Sequence, residues 1–321
     1  MAKHTTRWHG KPGPTLNPKD QISYLASRGI SFERVDQNTA ARYLRDTGGF
    51  MRTASYKSLF PKLRHADGSS SYIGLDFAEL MDLTEIDHQL RLSFLPLALD
   101  VEHSAKLQLL YLANKKHEDP YEIVEAYISS LSAGKQERLM AELESRRGDN
   151  DIYSGLLIDK YVGDMPLWVI AEVFDFGDFL DLWGFCARRW HSEELIQLRY
   201  LLKDTKDLRN ACAHGSCILN GIASGYTPYE TPLLLTQALK SARITSEQEI
   251  ERWTSNPRTL ELLAALWCSK ELVRDERRRT YAHTSLDKLF ARARKHADWY
   301  TDNEALVSCY RFFMFIAKAW R

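Results

Sequence analysis

Apolar positions recur at three- and four-residue steps along most of the chain, the spacing of one buried helix face, and no short apolar runs alternate with them as a parallel α/β sheet would require. The clearest run spans 76 to 114, where Phe77, Leu80, Met81, Leu83, Ile86, Leu90, Phe94, Leu97 and Val101 predict one long helix, expected to bend at Pro96. Ahead of it, Gly10, Pro12, Gly13, Pro14 and Pro18 predict an extended arm over residues 1–17, with His4, Trp8 and His9 disordered. Helices follow over 18–27, with Asn17 as cap and Gly29 as stop, and over 36–46, with Asp36 as cap before Gly48 and Gly49. Residues 56–71 read as loop or short strand.

Beyond the long helix the pattern predicts a helix over 120–131, then a charged stretch over 134–151 that reads as a solvated helix or loop. An aromatic-rich helical segment over 166–190 is expected to break at Gly177, and a further helix over 193–214 to stop at Gly215. Residues 220–232 are turn-rich, and helices fit 233–243, 246–274 with an interruption at Pro257, and 285–319. The fold expected is all-α, a helical bundle. Trp168, Phe174, Phe176, Phe179, Trp183 and Phe185 are assigned to its core.

With 321 residues and 44% hydrophobic content the chain can bury a large core. Lys and Arg number 43, Asp and Glu 43, so the net charge is zero, and any nucleic acid has to be held by a local basic surface and not by a bulk field. Cys186, Cys212, Cys217, Cys268 and Cys309 are scattered without a Cys-x-x-Cys pair, so no metal or redox motif is expected; they read as reduced, mostly buried thiols. No apolar run reaches the roughly 18 residues of a membrane span, and residues 1–7 lack the apolar stretch of a signal peptide. The expected location is the cytoplasm, with no membrane partner.

The candidate chemistry lies at the end of the 193–214 helix, in Arg209-Asn210-Ala211-Cys212-Ala213-His214. An arginine supplies a fixed cation and a histidine a proton carrier near neutral pH, which together suffice to cut RNA without a metal. The spacing alone is common: Arg278 and His283 repeat it, in a setting that lacks the Asn and the Gly stop and reads as a solvated basic face or a phosphate contact. At about 100° per residue, Asn210 and His214 share a helix face while Arg209 projects about 140° from His214. One helix therefore makes an incomplete site.

Leu208 to His214 resembles the Arg-Asn-x-x-Ala-His core of the HEPN superfamily, and within it the Abi-like abortive-infection proteins related to AbiD and AbiF. Other blocks agree in order: Lys11-Pro12 with Gln21 and Arg28-Gly29-Ile30, Arg52 to Phe60, Glu85-Ile86-Asp87 with Leu90-Arg91, Ala98 to Glu102, and Pro166-Leu167-Trp168 with Glu172 and Phe176-Gly177. The likeness spans roughly residues 11 to 225. Gly49-Phe50 departs from the aromatic pair usual before Arg52, Lys106 stands where an arginine is common, and Cys217 where the family often has arginine.

The resemblance implies a HEPN-like bundle with additional N- and C-terminal helices: an arm over 1–17, an Abi-like domain over 18–235 and a C-terminal helical region over 236–321 packed on it. It implies a homodimer in which two motifs face each other, and a cofactor-free, metal-independent endoribonuclease acting in phage defence as a toxin. RNA would be the substrate, and a structured regulatory non-coding RNA a further partner. Arg209, Asn210 and His214 would be the catalytic set, with Glu102 and Glu172 as supporting partners of the arginine. Arg274, Arg277, Arg278, Arg279, Arg292, Arg294 and Lys295 form a local basic excess suited to RNA phosphates. Three blander readings stand beside this one: a structural hydrogen-bond network capping the helix, a catalytically silent RNA- or protein-binding module, and a purely structural adaptor.

Overall fold

The structure, a computed structural model, describes residues 15–66, 68–222 and 231–321 throughout, and the backbone of a short antiparallel pairing between β1 (Arg7–Trp8) and β2 (Lys11–Pro12). The rest of the expected arm, with His4, His9 and the Trp8 side chain, lies outside the described residues, as do residues 223–230 of the turn-rich stretch. Helix α1 (Pro18–Ser27) begins where the Asn17 side chain accepts a hydrogen bond from the Lys19 N–H at 3.0 Å. Asp36 does the same for α2 (Gln37–Tyr43), accepting from Asn38 and Thr39. The helix expected to run to 46 instead widens into one π turn, Leu44–Gly48, before α3 (Phe50–Ser55). A tight helical turn, Tyr56–Leu59, and a hairpin of β3 (Lys62–Arg64) with β4 (Ser70–Tyr72) fill the stretch read as loop or short strand.

Helix α4 (Phe77–Lys115) is the axis of the molecule. Its start is a capping box: the Asp76 carboxylate accepts from the Ala78 N–H at 2.9 Å while Glu79 accepts from the Asp76 N–H at 3.0 Å. The same Asp76 holds Ser31 and the Glu33 N–H, tying α4 to the segment after α1. Pro96 sits inside continuous helix; the carbonyl it leaves unbonded belongs to Leu92 on the solvent side, where water can satisfy it.

Next come α5 (Glu122–Ser130), α6 (Ala133–Ser145), α7 (Gly155–Tyr161), α8 (Leu167–Val173), α9 (Phe176–Arg189) and α10 (Glu193–Ala213). The break expected at Gly177 falls at Phe174 and Asp175, because Asp175 caps α9 by accepting from the Asp178 N–H at 2.8 Å, which leaves Gly177 in the first turn. Trp168 is not core: it is 48% exposed, edge-on to Tyr121.

The chain closes with α11 (Leu233–Ser241), α12 (Glu247–Thr254), α13 (Pro257–Leu272), α14 (Glu276–Arg294) and α15 (Glu304–Ala319). The single helix expected over 285–319 is therefore two, and the first begins earlier, at a cap made by Asp275. The interruption is a tertiary demand. Tyr300 donates to Asp82 at 2.8 Å and the Asn303 side chain donates to the Leu59 carbonyl at 3.0 Å, contacts a straight helix would forgo. Helix α10 packs on α4, α9 and α13, and α13 and α14 pack on α4, so one buried cluster runs from Ile22 to Trp320. Among the described residues no helix is long and apolar enough to cross a membrane.

The seam between α10 and α13 half-buries two acids, Asp204 and Glu261. Burial, opposed by Lys203, pushes the Asp204 carboxyl up to about 6, and burial with the charges of Asp207 and Asp204 pushes Glu261 up to about 7. An acid whose folded value is raised stabilises the fold only while protonated, so this contribution is present below about pH 4 and is lost as pH rises through 6 to 7. Thermal unfolding followed by circular dichroism between pH 5 and 8 should show a falling midpoint, and Glu261→Gln should flatten that slope.

Candidate active site at the end of helix α10

The last turn of α10 delivers the motif, and the loop behind it is held from three sides. Gly215 takes a left-handed φ of 67°, ending the helix as only glycine does without strain, and its carbonyl accepts from the Arg52 guanidinium of α3 at 2.6 Å. A Cβ at Gly215 would stand 2.9 Å from that guanidinium. Asp87 of α4, fully buried, accepts from the Leu219 N–H and the Tyr56 hydroxyl, each at 2.8 Å, and pairs with Arg91 one turn on. Arg91 in turn donates to the Ser216 carbonyl at 3.1 Å, and Ser58 donates to Asn220 at 2.6 Å. Burial and the Asp87 charge push the Tyr56 hydroxyl well above its usual range, so it remains a donor.

Against this fixed loop the three predicted residues stand as follows. His214 is the C-cap residue, one step past the last helical turn; its N–H bonds back to the Asn210 carbonyl at 2.9 Å. Its side chain is exposed, and among the described residues nothing hydrogen-bonds the imidazole. Arg209 is half-buried and turned the other way: one guanidinium nitrogen donates to Glu102 on α4 at 3.0 Å, another to the Asn210 side-chain oxygen at 2.9 Å. Glu102 also faces Lys106 at 3.5 Å, whose ammonium donates to the Phe174 carbonyl at 3.1 Å. Asn210 thus spends its oxygen on Arg209, and among the described residues its amide has no hydrogen-bond partner.

Glu102 therefore meets Arg209 as expected, whereas Glu172 is exposed on α8 and, among the described residues, carries no ion pair or hydrogen bond. The second Arg-x4-His copy is not assembled. Arg278 pairs with Asp100 at 2.5 Å, while His283 points elsewhere, its Nδ1 buried without a partner and its protonation disfavoured by burial and Arg321. The basic residues do not form one patch. Arg292 is drawn inward, 2.7 Å from the buried Asp82 in a charge contact lacking hydrogen-bond alignment, and so is not available to a phosphate. Arg274, Arg277 and Lys295 are exposed, Arg279 is half-buried, and Arg294 borders a cavity between α14 and α15. Glu142, Asp175 and Asp178 converge within 4.8 Å, and Arg138, which pairs with Asp178 and lies 3.6 Å from Glu142, offsets part of their charge.

Sequence reasoning noted Asp87 and Arg91 only as part of a resemblance, and Arg52 likewise; their task of holding the loop was not read. The available signal was an Asp and an Arg at i, i+4 on an otherwise apolar face of α4.

A family model described as Abi-like protein matches residues 42–220, more than half of the chain, from α2 through the loop pinned by Asp87. The chain belongs to the Abi-like family. No curated protein and no solved structure is significantly similar to it. The matched region of this Abi-like chain contains α4, α10, Arg52, Glu102 and the whole motif, and leaves α11 to α15 outside.

Replacing Asp87 by Ala strands Arg91 without its buried counter-charge and frees the Leu219 N–H. The expected loss is about 3–5 kcal/mol in urea unfolding, with faster amide exchange concentrated at Ser216 and Leu219.

Proposed function

We propose that this Abi-like chain is a homodimeric endoribonuclease of the HEPN type that cuts RNA in the cytoplasm during abortive infection. The observation that carries the reading is the arrangement at the end of α10: an imidazole left open to solvent beside a pinned loop, and on the same last turns of helix a guanidinium held by Glu102 and Asn210. These are the parts a phosphodiester transfer needs, a proton carrier and a positioned cation.

The reaction assigned to them is attack of a ribose 2′-oxygen on the adjacent phosphorus. The P–O5′ bond breaks, one proton leaves the 2′-hydroxyl and one reaches the departing 5′-oxygen, giving a 2′,3′-cyclic phosphate and a 5′-hydroxyl. His214 carries one of these protons and His214 of the second copy the other, Arg209 stabilises the charge building on phosphorus, and the amide of Asn210 orients the phosphate. No step calls on a metal.

The second copy has a surface to occupy. Leu92, Leu99, Leu107 and Tyr111, each 46 to 60% exposed, lie along the outer side of α4 at helical steps. Glu102 flanks this stripe, so a twofold contact there brings two motifs towards one groove. Family membership supports the defence role, and a structured RNA is the proposed controlling partner. Arg277, Tyr281 and Lys288, which share one shallow depression on α14, offer cations and an exposed ring for RNA at a distance from the motif.

Incubated with total RNA in EDTA, the purified protein should generate cyclic-phosphate ends, and His214→Ala or Arg209→Ala should slow cutting by about 10²-fold or more with an unchanged melting temperature. RNA binding without fragments would favour the silent module instead. Leu99→Asp with Leu107→Asp should yield a monomer in sedimentation and abolish cutting, since the groove then holds one motif.

A further inference from the structure

An apolar cavity among the described residues takes no part in the proposed reaction. It encloses about 560 Å³ between α4, α13, α14 and α15, within the range of about 300–1,000 Å³ typical of small-molecule sites. Its walls are aliphatic and aromatic, with Leu90 and Phe94 from α4 and Leu286 and Phe313 from α14 and α15. The hydroxyls that line it are already bonded: Tyr300 donates to Asp82 at 2.8 Å and Tyr310 to the Phe290 carbonyl at 3.4 Å. The interior therefore has little to offer a polar guest, and its apolar lining favours an apolar one.

The rim differs from the walls. Arg294 and Arg311 border the cavity, both exposed, and among the described residues neither forms an ion pair or a hydrogen bond; Asp298 is the single acid beside them. Two guanidiniums against one carboxylate leave one net positive charge at the mouth of an apolar chamber. We infer that the cavity binds a long-chain carboxylate, its alkyl chain among the leucines and phenylalanines and its single negative charge between Arg294 and Arg311. Leu219 and Ile222, on the loop that follows His214, form part of the wall. The bound chain accordingly packs against the loop that Asp87 anchors through the Leu219 N–H.

The test is titration of the full-length protein with oleate, below its micelle concentration, by calorimetry. Expected are saturable binding of one oleate per chain, affinity about fivefold to tenfold weaker for oleyl alcohol and for Arg294→Ala with Arg311→Ala, and slower exchange of the Leu219 amide on binding. Ala293→Trp, which fills the chamber, should abolish binding. The two arginines are exposed, so their double variant keeps its fold and the comparison stands even if the tryptophan variant does not fold. Absence of saturable binding to wild type, or equal affinity of oleate for the wild type and the double arginine variant, overturns the inference. Neither result depends on whether RNA is cut.

Discussion

Asp87 lies without solvent access about three turns into α4 and is surrounded by groups that need an acceptor: the Arg91 guanidinium, the Tyr56 hydroxyl and the Leu219 N–H. An isolated buried carboxylate would be expelled or protonated, so these groups have to converge on it together. The convergence fixes three parts of the chain at one point: the tight turn after α3, the first half of α4 and the loop after α10. Arg52 on the Gly215 carbonyl adds a fourth strut. The position of His214 follows from these struts, since among the described residues nothing hydrogen-bonds its side chain.

The helices were legible wherever capping chemistry and apolar period agree. Asn17, Asp36 and Asp76 each start a helix at the expected residue, and Gly215 ends α10 as its position foretold. The reading failed where a tertiary contact outweighed the local pattern. Residues 295–303 leave the helix because Tyr300 and Asn303 have partners near the start of α4 and beside β3, and Asn303 also caps α15 by accepting from the Leu306 N–H, a local signal that the reading of one helix passed over. Gly177 was taken for a break, but the adjacent Asp175 outranks it as a cap.

The candidate site was legible in its residue types and not in its wiring. Arg209, Asn210 and His214 could be listed from the sequence, and Glu102 could be suspected, since charged side chains on a buried helix face need partners. That Arg209 turns towards Asn210 and Glu102, away from the imidazole, depends on how α4 lies against α10, which no local pattern encodes. The basic residues near the C-terminus show the converse error: charge in sequence reads as a patch, but Arg292 and Arg278 are consumed by Asp82 and Asp100 on the neighbouring helix.

Glu102 answers to two cations, Arg209 at 3.0 Å and Lys106 at 3.5 Å. A carboxylate with one counter-ion resists giving it up, because separation would leave a poorly hydrated charge behind. With Lys106 in place, itself steadied by the Phe174 carbonyl, Glu102 keeps a counter-ion that does not depend on Arg209. Lys106 thus works as a second anchor for this carboxylate, so that the acid's hold on Arg209 is shared and not exclusive.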